Sequence, residues 1–142
     1  MNERDPITAY CLLFTDANIR DADMIGGYIL RPVGSKRTRY EDVERGSFSR
    51  PASQTGIDHM EYEALIAGLT LANELGIERI WAYTDRRSIV EQYYQCPRKP
   101  AESSRANLET VVSLKESFKG FGMSWIPRAS NVRADLLGRS DK

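Results

Sequence analysis

Four acids sit in settings that a carboxylate does not usually choose. Asp16 closes an apolar run from Tyr10 to Thr15, and Asp85 follows directly on Ile80-Trp81-Ala82-Tyr83-Thr84. Glu61 falls among Leu65, Gly68, Leu69 and Ala72 when the residues are spaced at the helical period, and Asp135 lies within Ala134-Asp135-Leu136-Leu137. Strand-end acids of an open α/β sheet gather at one edge, where ligands bind. Carboxylates brought together repel, and they stay ionised only with a cation among them. An all-oxygen donor set without histidine or thiolate suits magnesium or manganese better than zinc. Two such ions about 4 Å apart activate a water and stabilise the leaving oxygen of a phosphodiester. Each acid taken alone also reads as a turn or cap residue, and Asp16 beside Asn18 and Asp21 fits that description.

The elements that must position these acids follow from periodicity. Ile7 to Thr15 alternates two largely apolar sets, the pattern of a strand covered on both faces, with Asp16 at its end. Asp21-Ala22-Asp23 reads as a turn, Gly26 to Leu30 as a second strand, Gly34-Ser35 as a hairpin connection and Lys36 to Phe48 as an outer third strand. Pro51 to Asp58 is a loop. A helix runs from Met60 to Leu75 and stops at Gly76. On it Glu61 shares the apolar face, while Glu63, Ala67, Thr70 and Glu74 share another, so Glu61 points to the sheet and Glu63 to water. Ile77 to Thr84 is a buried strand, and a second helix starts at Ser88-Ile89-Val90. After Cys96-Pro97-Arg98-Lys99-Pro100, Ser103 or Ser104 caps a helix whose inward stripe is Leu108, Val111, Val112, Lys115 and Phe118. Gly120 and Gly122 stop it, Met123 to Ile126 forms a short strand, and Asn131 caps a last short helix. Three strands followed by alternation give a mixed sheet with helices packed on it.

The 142 residues fit one domain, residues 1–142, with 41% hydrophobic and 28% charged residues. The formal net charge is zero, so nucleic-acid contact falls to local patches: Lys36 to Arg39, Arg86-Arg87, Arg98-Lys99, and Arg128 with Arg133 and Arg139. Two cysteines, Cys11 and Cys96, make neither a disulfide framework nor a zinc site, and Cys11 reads as a small core residue. The first residues lack the apolar core of a signal peptide, and no apolar run has spanning length. The expectation is a cytoplasmic monomer away from membranes. His59 is the single histidine and reads as a helix-start surface residue. No nucleophile elbow and no phosphate-cradling glycine loop are present.

The chain resembles the type 1 ribonuclease H family, in particular its reverse-transcriptase-like branch, over roughly Ile7 to Arg139. Phe14-Thr15-Asp16 with Gly26-Gly27 is similar to the first-strand motif, and Met60 to Leu65 with Gly68-Leu69 and Ala72 to the first-helix motif. Tyr83-Thr84-Asp85 with Val90 and Gln92 is similar to the second acid motif in spacing. Trp125-Ile126-Pro127-Arg128, Asn131 and Ala134 to Leu137 are similar to the C-terminal signature. The resemblance implies a five-stranded mixed sheet of order 3-2-1-4-5 flanked by helices. It implies two Mg2+ or Mn2+ ions held by Asp16, Glu61, Asp85 and Asp135. It also implies endonucleolytic hydrolysis of the RNA strand of RNA–DNA hybrids, leaving 5′-phosphate and 3′-hydroxyl ends.

At several positions the chain departs from the family. Ala17 replaces a glycine after the first acid, and its methyl limits backbone approach to a substrate. Arg86 replaces a serine after the third acid and places a cation at the mouth of the site. Ile57 and Asp58 stand where the family tends to carry asparagines that touch bases and sugars, and an aspartate lacks the amide's donors. The loop Pro127 to Asn131 lacks the histidine that some members carry. Ala17, Asp58, Arg86 and Asn131 are the candidate substrate contacts, with Arg86 expected to meet a phosphate. Two other readings stay open: a binding module of the same fold that does not cut, and a same-fold nuclease for another nucleic acid.

Overall fold

The computed structural model describes residues 10–20, 22–32, 44–51, 56–95 and 104–127. Its elements are β1 (Tyr10–Arg20), β2 (Asp23–Pro32), β3 (Glu44–Pro51), α1 (Ile57–Glu74), β4 (Arg79–Thr84), α2 (Arg87–Tyr94), α3 (Arg105–Lys115) and β5 (Gly120–Trp125). The sheet has the order β3-β2-β1-β4-β5. The β3-β2-β1 half is antiparallel, and β1, β4 and β5 are parallel. The mixed sheet is therefore the expected one.

β1 sits at the centre, and the start of its inner face is apolar. Cys11 and Leu13 are both buried, beside Ile80 and Ala82 of β4 and Met123 of β5. Leu65, Leu69 and Ala72 of α1 and Leu108 and Val111 of α3 close over them. Burying the three leucines and the valine among them contributes roughly 1.5–3 kcal/mol apiece, which holds both helices against the sheet. The Cys11 thiol lies in this core, and burial pushes its pKa up to about 12, so it is an inert apolar group as expected.

Several boundaries differ from those read off the sequence. β1 does not end at Asp16 but continues to Arg20, and β2 starts at Asp23 rather than Gly26. Asp-Ala-Asn has the composition of a turn, yet Ala17 pairs with Gly26 and Ile19 with Met24, and the buried Ala17 and Met24 carry the apolar face on. The β1–β4 ladder does stop at Thr15 and Thr84. Asp16 and Asp85 thus stand side by side just past the last parallel pair. β3 begins at Glu44 and includes Pro51, which is tolerated because β3 is an edge strand. The expected Gly34-Ser35 connection and the first part of the expected third strand lie outside the described residues.

α1 starts three residues early, with Gly56 at the N-cap and Asp58 in the first turn, where the helix dipole favours an acid. It ends as expected at Gly76, whose φ of 79° is open to glycine. The amides of Gly76 and Ile77 return to the carbonyls of Asn73 and Ala72 at 3.1 Å each, closing the helix end. In α3, Ser104 occupies the N-cap without a side-chain bond, and Leu108 and Val111 face inward. Val112 is exposed, against expectation, because one position further turns it about 100° from Val111. Gly120 and Gly122 do not end α3; both belong to β5. Gly122 lies under the Trp81 ring, and a Cβ there would stand 2.2 Å from Trp81 Cζ3. The same indole donates Nε1–H to Ser124 Oγ at 2.9 Å. No helix among the described residues is long and apolar enough to cross a membrane.

Candidate active site

The paired Thr-Asp dipeptides at the end of the β1–β4 ladder and the first turns of α1 build one cluster. One carboxylate oxygen from each of Asp16, Glu61 and Asp85 lies within 4.8 Å of the others. Asp16 and Glu61 are buried, and Asp85 is half-buried. The separation of Glu61 from Glu63 holds. Glu61 faces the sheet, whereas Glu63 lies off that face, held by Arg50 Nη2 at 3.0 Å and His59 Nε2 at 2.6 Å. His59 is on the surface, as expected, and its Nδ1 meets Asn107 Nδ2 at 2.8 Å.

Glu61 Oε1 accepts from Thr84 Oγ1 at 3.0 Å and from Thr15 Oγ1 at 3.4 Å. These two hydroxyls are register partners across the parallel pair, and both are buried. Thr84 Oγ1 in turn accepts the backbone N–H of Arg86 at 3.1 Å. Asp16 Oδ2 accepts from Asn18 Nδ2 at 3.0 Å, and its Oδ1 is buried and receives no hydrogen bond from the described residues. Burial pushes the Glu61 pKa up to about 7, and the Asp85 charge adds to the rise. The Thr84 and Thr15 hydroxyls and the Arg86 charge oppose it. A carboxylate so placed awaits a cation.

The donor set fits a hard divalent ion. Bonds of about 2.1 Å in an octahedron put neighbouring ligand oxygens about 3 Å apart and opposite ones about 4.2 Å apart. The three carboxylate oxygens, all within 4.8 Å of one another, lie close enough together to share one cation. The cluster is thus compatible with divalent-metal binding. Asp135, the fourth acid of the sequence reading, and Asn131 lie outside the described residues, as do the basic patches at 36–39, at 98–99 and from 128 onward.

A cavity of about 240 Å³ opens over the cluster, lined by Ala17, Asn18, Ile19, Ile57, Glu61, Asp85 and Arg86. Ala17 sits beneath it in a small apolar cluster with Met24 and Met60, against which Phe48 and Ile57 pack. Asp58 and Arg86 form an ion pair at the rim, Nε to Oδ1 at 2.5 Å, and Ser88 Oγ reaches the same oxygen at 3.3 Å. Arg87 lies over the Trp125 ring at 4.4 Å, and Trp125 Nε1–H donates to the Asp85 carbonyl at 3.2 Å. The supporting Thr15, Thr84 and Asn18 were not singled out from the sequence. The repeated Thr-Asp at two strand ends was the available signal.

A five-stranded mixed sheet with acids converging past its central parallel pair defines the ribonuclease H fold class. The model of the family described as "Reverse transcriptase-like" matches residues 43–140, more than half of the chain. The chain belongs to this family, a reverse-transcriptase-like branch of the ribonuclease H family. Among solved structures it is similar to the ribonuclease H1 of the halophilic archaeon Halobacterium salinarum, with 20% identity and a TM-score of 0.78 over 94% of this chain and 99% of that one. The N-terminal ribonuclease H domain of a Mycobacterium tuberculosis protein is similar at 22% identity and a TM-score of 0.77, over 90% and 89% of the two chains. So is LC11 ribonuclease H1, isolated from compost, in its complex with an RNA/DNA hybrid, at 20% identity and a TM-score of 0.74 over 89% and 92%. At these identities the likeness speaks for the fold. No curated protein matches the chain.

Proposed function

We propose that the chain is a metal-dependent endoribonuclease that hydrolyses the RNA strand of RNA–DNA hybrids. The observation that carries this reading is the convergence of Asp16, Glu61 and Asp85 within 4.8 Å under an open cavity. Membership of the family and a similar fold seen with an RNA/DNA hybrid support the substrate class. In this reading Asp16, Glu61 and Asp85, with Asp135, hold two Mg2+ or Mn2+ ions. Ions held there supply Lewis acidity to the phosphodiester and acidify the attacking water. Thr84 and Thr15 fix the Glu61 carboxylate, and Asn18 fixes that of Asp16. The acids are held close together by the fold before a cation arrives, which is how preorganised charge contributes to catalysis. Attack by water opposite the 3′-oxygen leaves a 5′-phosphate and a 3′-hydroxyl.

The test is a substrate panel: end-labelled RNA–DNA hybrid, duplex DNA and duplex RNA, each with Mg2+ or Mn2+, beside an Asp85→Asn control. Cleavage confined to the RNA strand of the hybrid, and lost in Asp85→Asn, is the expected result. Absence of cleavage with hybrid binding intact overturns the proposal in favour of a binding module. Cleavage of duplex DNA instead assigns another substrate.

A further inference from the structure

Two of the departures from the family pattern touch each other. Asp58 lies in the first turn of α1 and Arg86 directly follows the third acid, 28 residues later, yet Arg86 Nε bonds Asp58 Oδ1. Ser88 Oγ converges on that same oxygen. The backbone of Arg86 is fixed as well, through its N–H to Thr84 Oγ1, and Thr84 holds Glu61. The arginine is thus tied at its backbone to the Thr84–Glu61 pair of the acid cluster and at its side chain to Asp58 on the rim. Its side chain is 41% exposed, lines the cavity beside Glu61 and Asp85, and bonds to no described residue other than Asp58.

The pair is held through Nε, the inner nitrogen of the guanidinium, while Nη1 and Nη2 carry four further N–H donors in a planar fork. Such a fork matches two oxygens of a phosphate. We infer that Arg86, positioned by Asp58 and Ser88, is a subsite for a backbone phosphate of the nucleic-acid strand that lies across the acid cluster. This inference rests on the proposed function for the identity of that strand. Asp58 does not repel the strand as an unpaired acid would, because its charge is taken up by Arg86. It keeps the guanidinium from collapsing onto Glu61 and Asp85, where it would occupy the place of a cation. In this chain an aimed cation takes over a task for which an amide in the first turn of α1 is not available.

The test measures hybrid binding in an Asp85→Asn background with Mg2+ present, so that turnover does not intervene. Fluorescence anisotropy of a labelled hybrid is followed across a salt series for the parent and for added Arg86→Ala, Arg86→Lys, Asp58→Ala and Asp58→Ala/Arg86→Ala changes. Arg86→Ala is expected to weaken binding about tenfold or more and to lower the slope of log K against log salt by about one. Arg86→Lys keeps the charge and the slope but recovers only part of the affinity, since it has no fork. Asp58→Ala weakens binding on its own, and its effect disappears in the Arg86→Ala background, as a positioning residue requires. An unchanged affinity and slope in Arg86→Ala overturns the inference. So does an Asp58→Ala effect that persists without Arg86, and so does a parent that fails to bind the hybrid at all. Loss of slope in a chain that cuts no hybrid in the substrate panel leaves the phosphate subsite standing and removes the proposed hydrolysis.

Discussion

At the scale of single residues, the candidate site is an acid held in place by two hydroxyls. Thr84 Oγ1 passes a hydrogen-bond chain from the Arg86 backbone to Glu61. Thr84→Val keeps the shape and removes the donor, and it is expected to cost 10–100-fold in metal affinity or activity, the usual range for groups that orient a ligand. Titration of Mn2+ checks this apart from turnover. Glu61 also predicts an unusual pH dependence. Its pKa is raised to about 7 by burial and by Asp85, above the ordinary 4.5. The metal-free folded state therefore keeps a proton that the unfolded chain has already lost. Stability from this group is greatest below pH 4.5, falls as pH rises to about 7 and is flat above, by at most about 3 kcal/mol. Denaturant unfolding in chelator at pH 5 and pH 8 measures the drop, and Glu61→Gln is expected to abolish it. With Mg2+ the trend is opposed, because the ion binds the ionised carboxylate. The three acids were legible from the sequence because apolar neighbours make a carboxylate conspicuous. The threonines were not, since threonine is an ordinary strand residue.

At the scale of elements, the site depends on how α1, α2 and the strand ends meet. Tyr62, next to Glu61, is buried in the core, and its hydroxyl donates to the buried Gln92 Oε1 of α2 at 2.6 Å. This bond fixes α2, and with it Asp85 and Arg86, against α1. Tyr62→Phe leaves the Gln92 carbonyl without its donor and is expected to cost about 1–3 kcal/mol, read by urea unfolding. Gly122→Ala drives a methyl into the Trp81 ring and is expected to cost about 1–3 kcal/mol through overpacking, with a matching fall in the thermal midpoint. The helical period placed Glu61 inward and Glu63 outward correctly, because packing obeys the same geometry. Strand limits were less legible. Asp16 to Asn18 has the composition of a turn, and only pairing with β2 and the burial of Ala17 against Met24 keep it extended. The glycines of β5 read as breakers because the ring that requires Gly122 comes from a strand 41 positions earlier. Four of the departures from the family resolve into two neighbouring sets: Ala17 with Ile57 in one apolar cluster, and Asp58 with Arg86 in one ion pair. Such pairing lies across elements and is invisible in a linear reading.

At the scale of the whole molecule, the topology does the assembling. β1 and β4 are parallel neighbours, so acids one residue past their shared ladder emerge side by side, and α1 crosses that end carrying the third. Alternation of elements in the sequence implied a mixed sheet, while its strand order came from the family resemblance. If the cluster holds an ion in the folded state alone, metal binding must raise stability. At a free concentration 100 times its Kd the gain is about 2.7 kcal/mol, visible as a rise of several degrees in the thermal midpoint with Mg2+ and lost in Asp85→Asn. The central claim is that Asp16, Glu61 and Asp85 together bind a divalent cation. The most direct measurement is an electron paramagnetic resonance titration of Mn2+ against the wild-type chain and against Asp16→Asn, Glu61→Gln and Asp85→Asn. The account predicts tight binding by the wild type that is weakened severely in each of the three variants. Equal Mn2+ binding by the wild type and all three variants would contradict it.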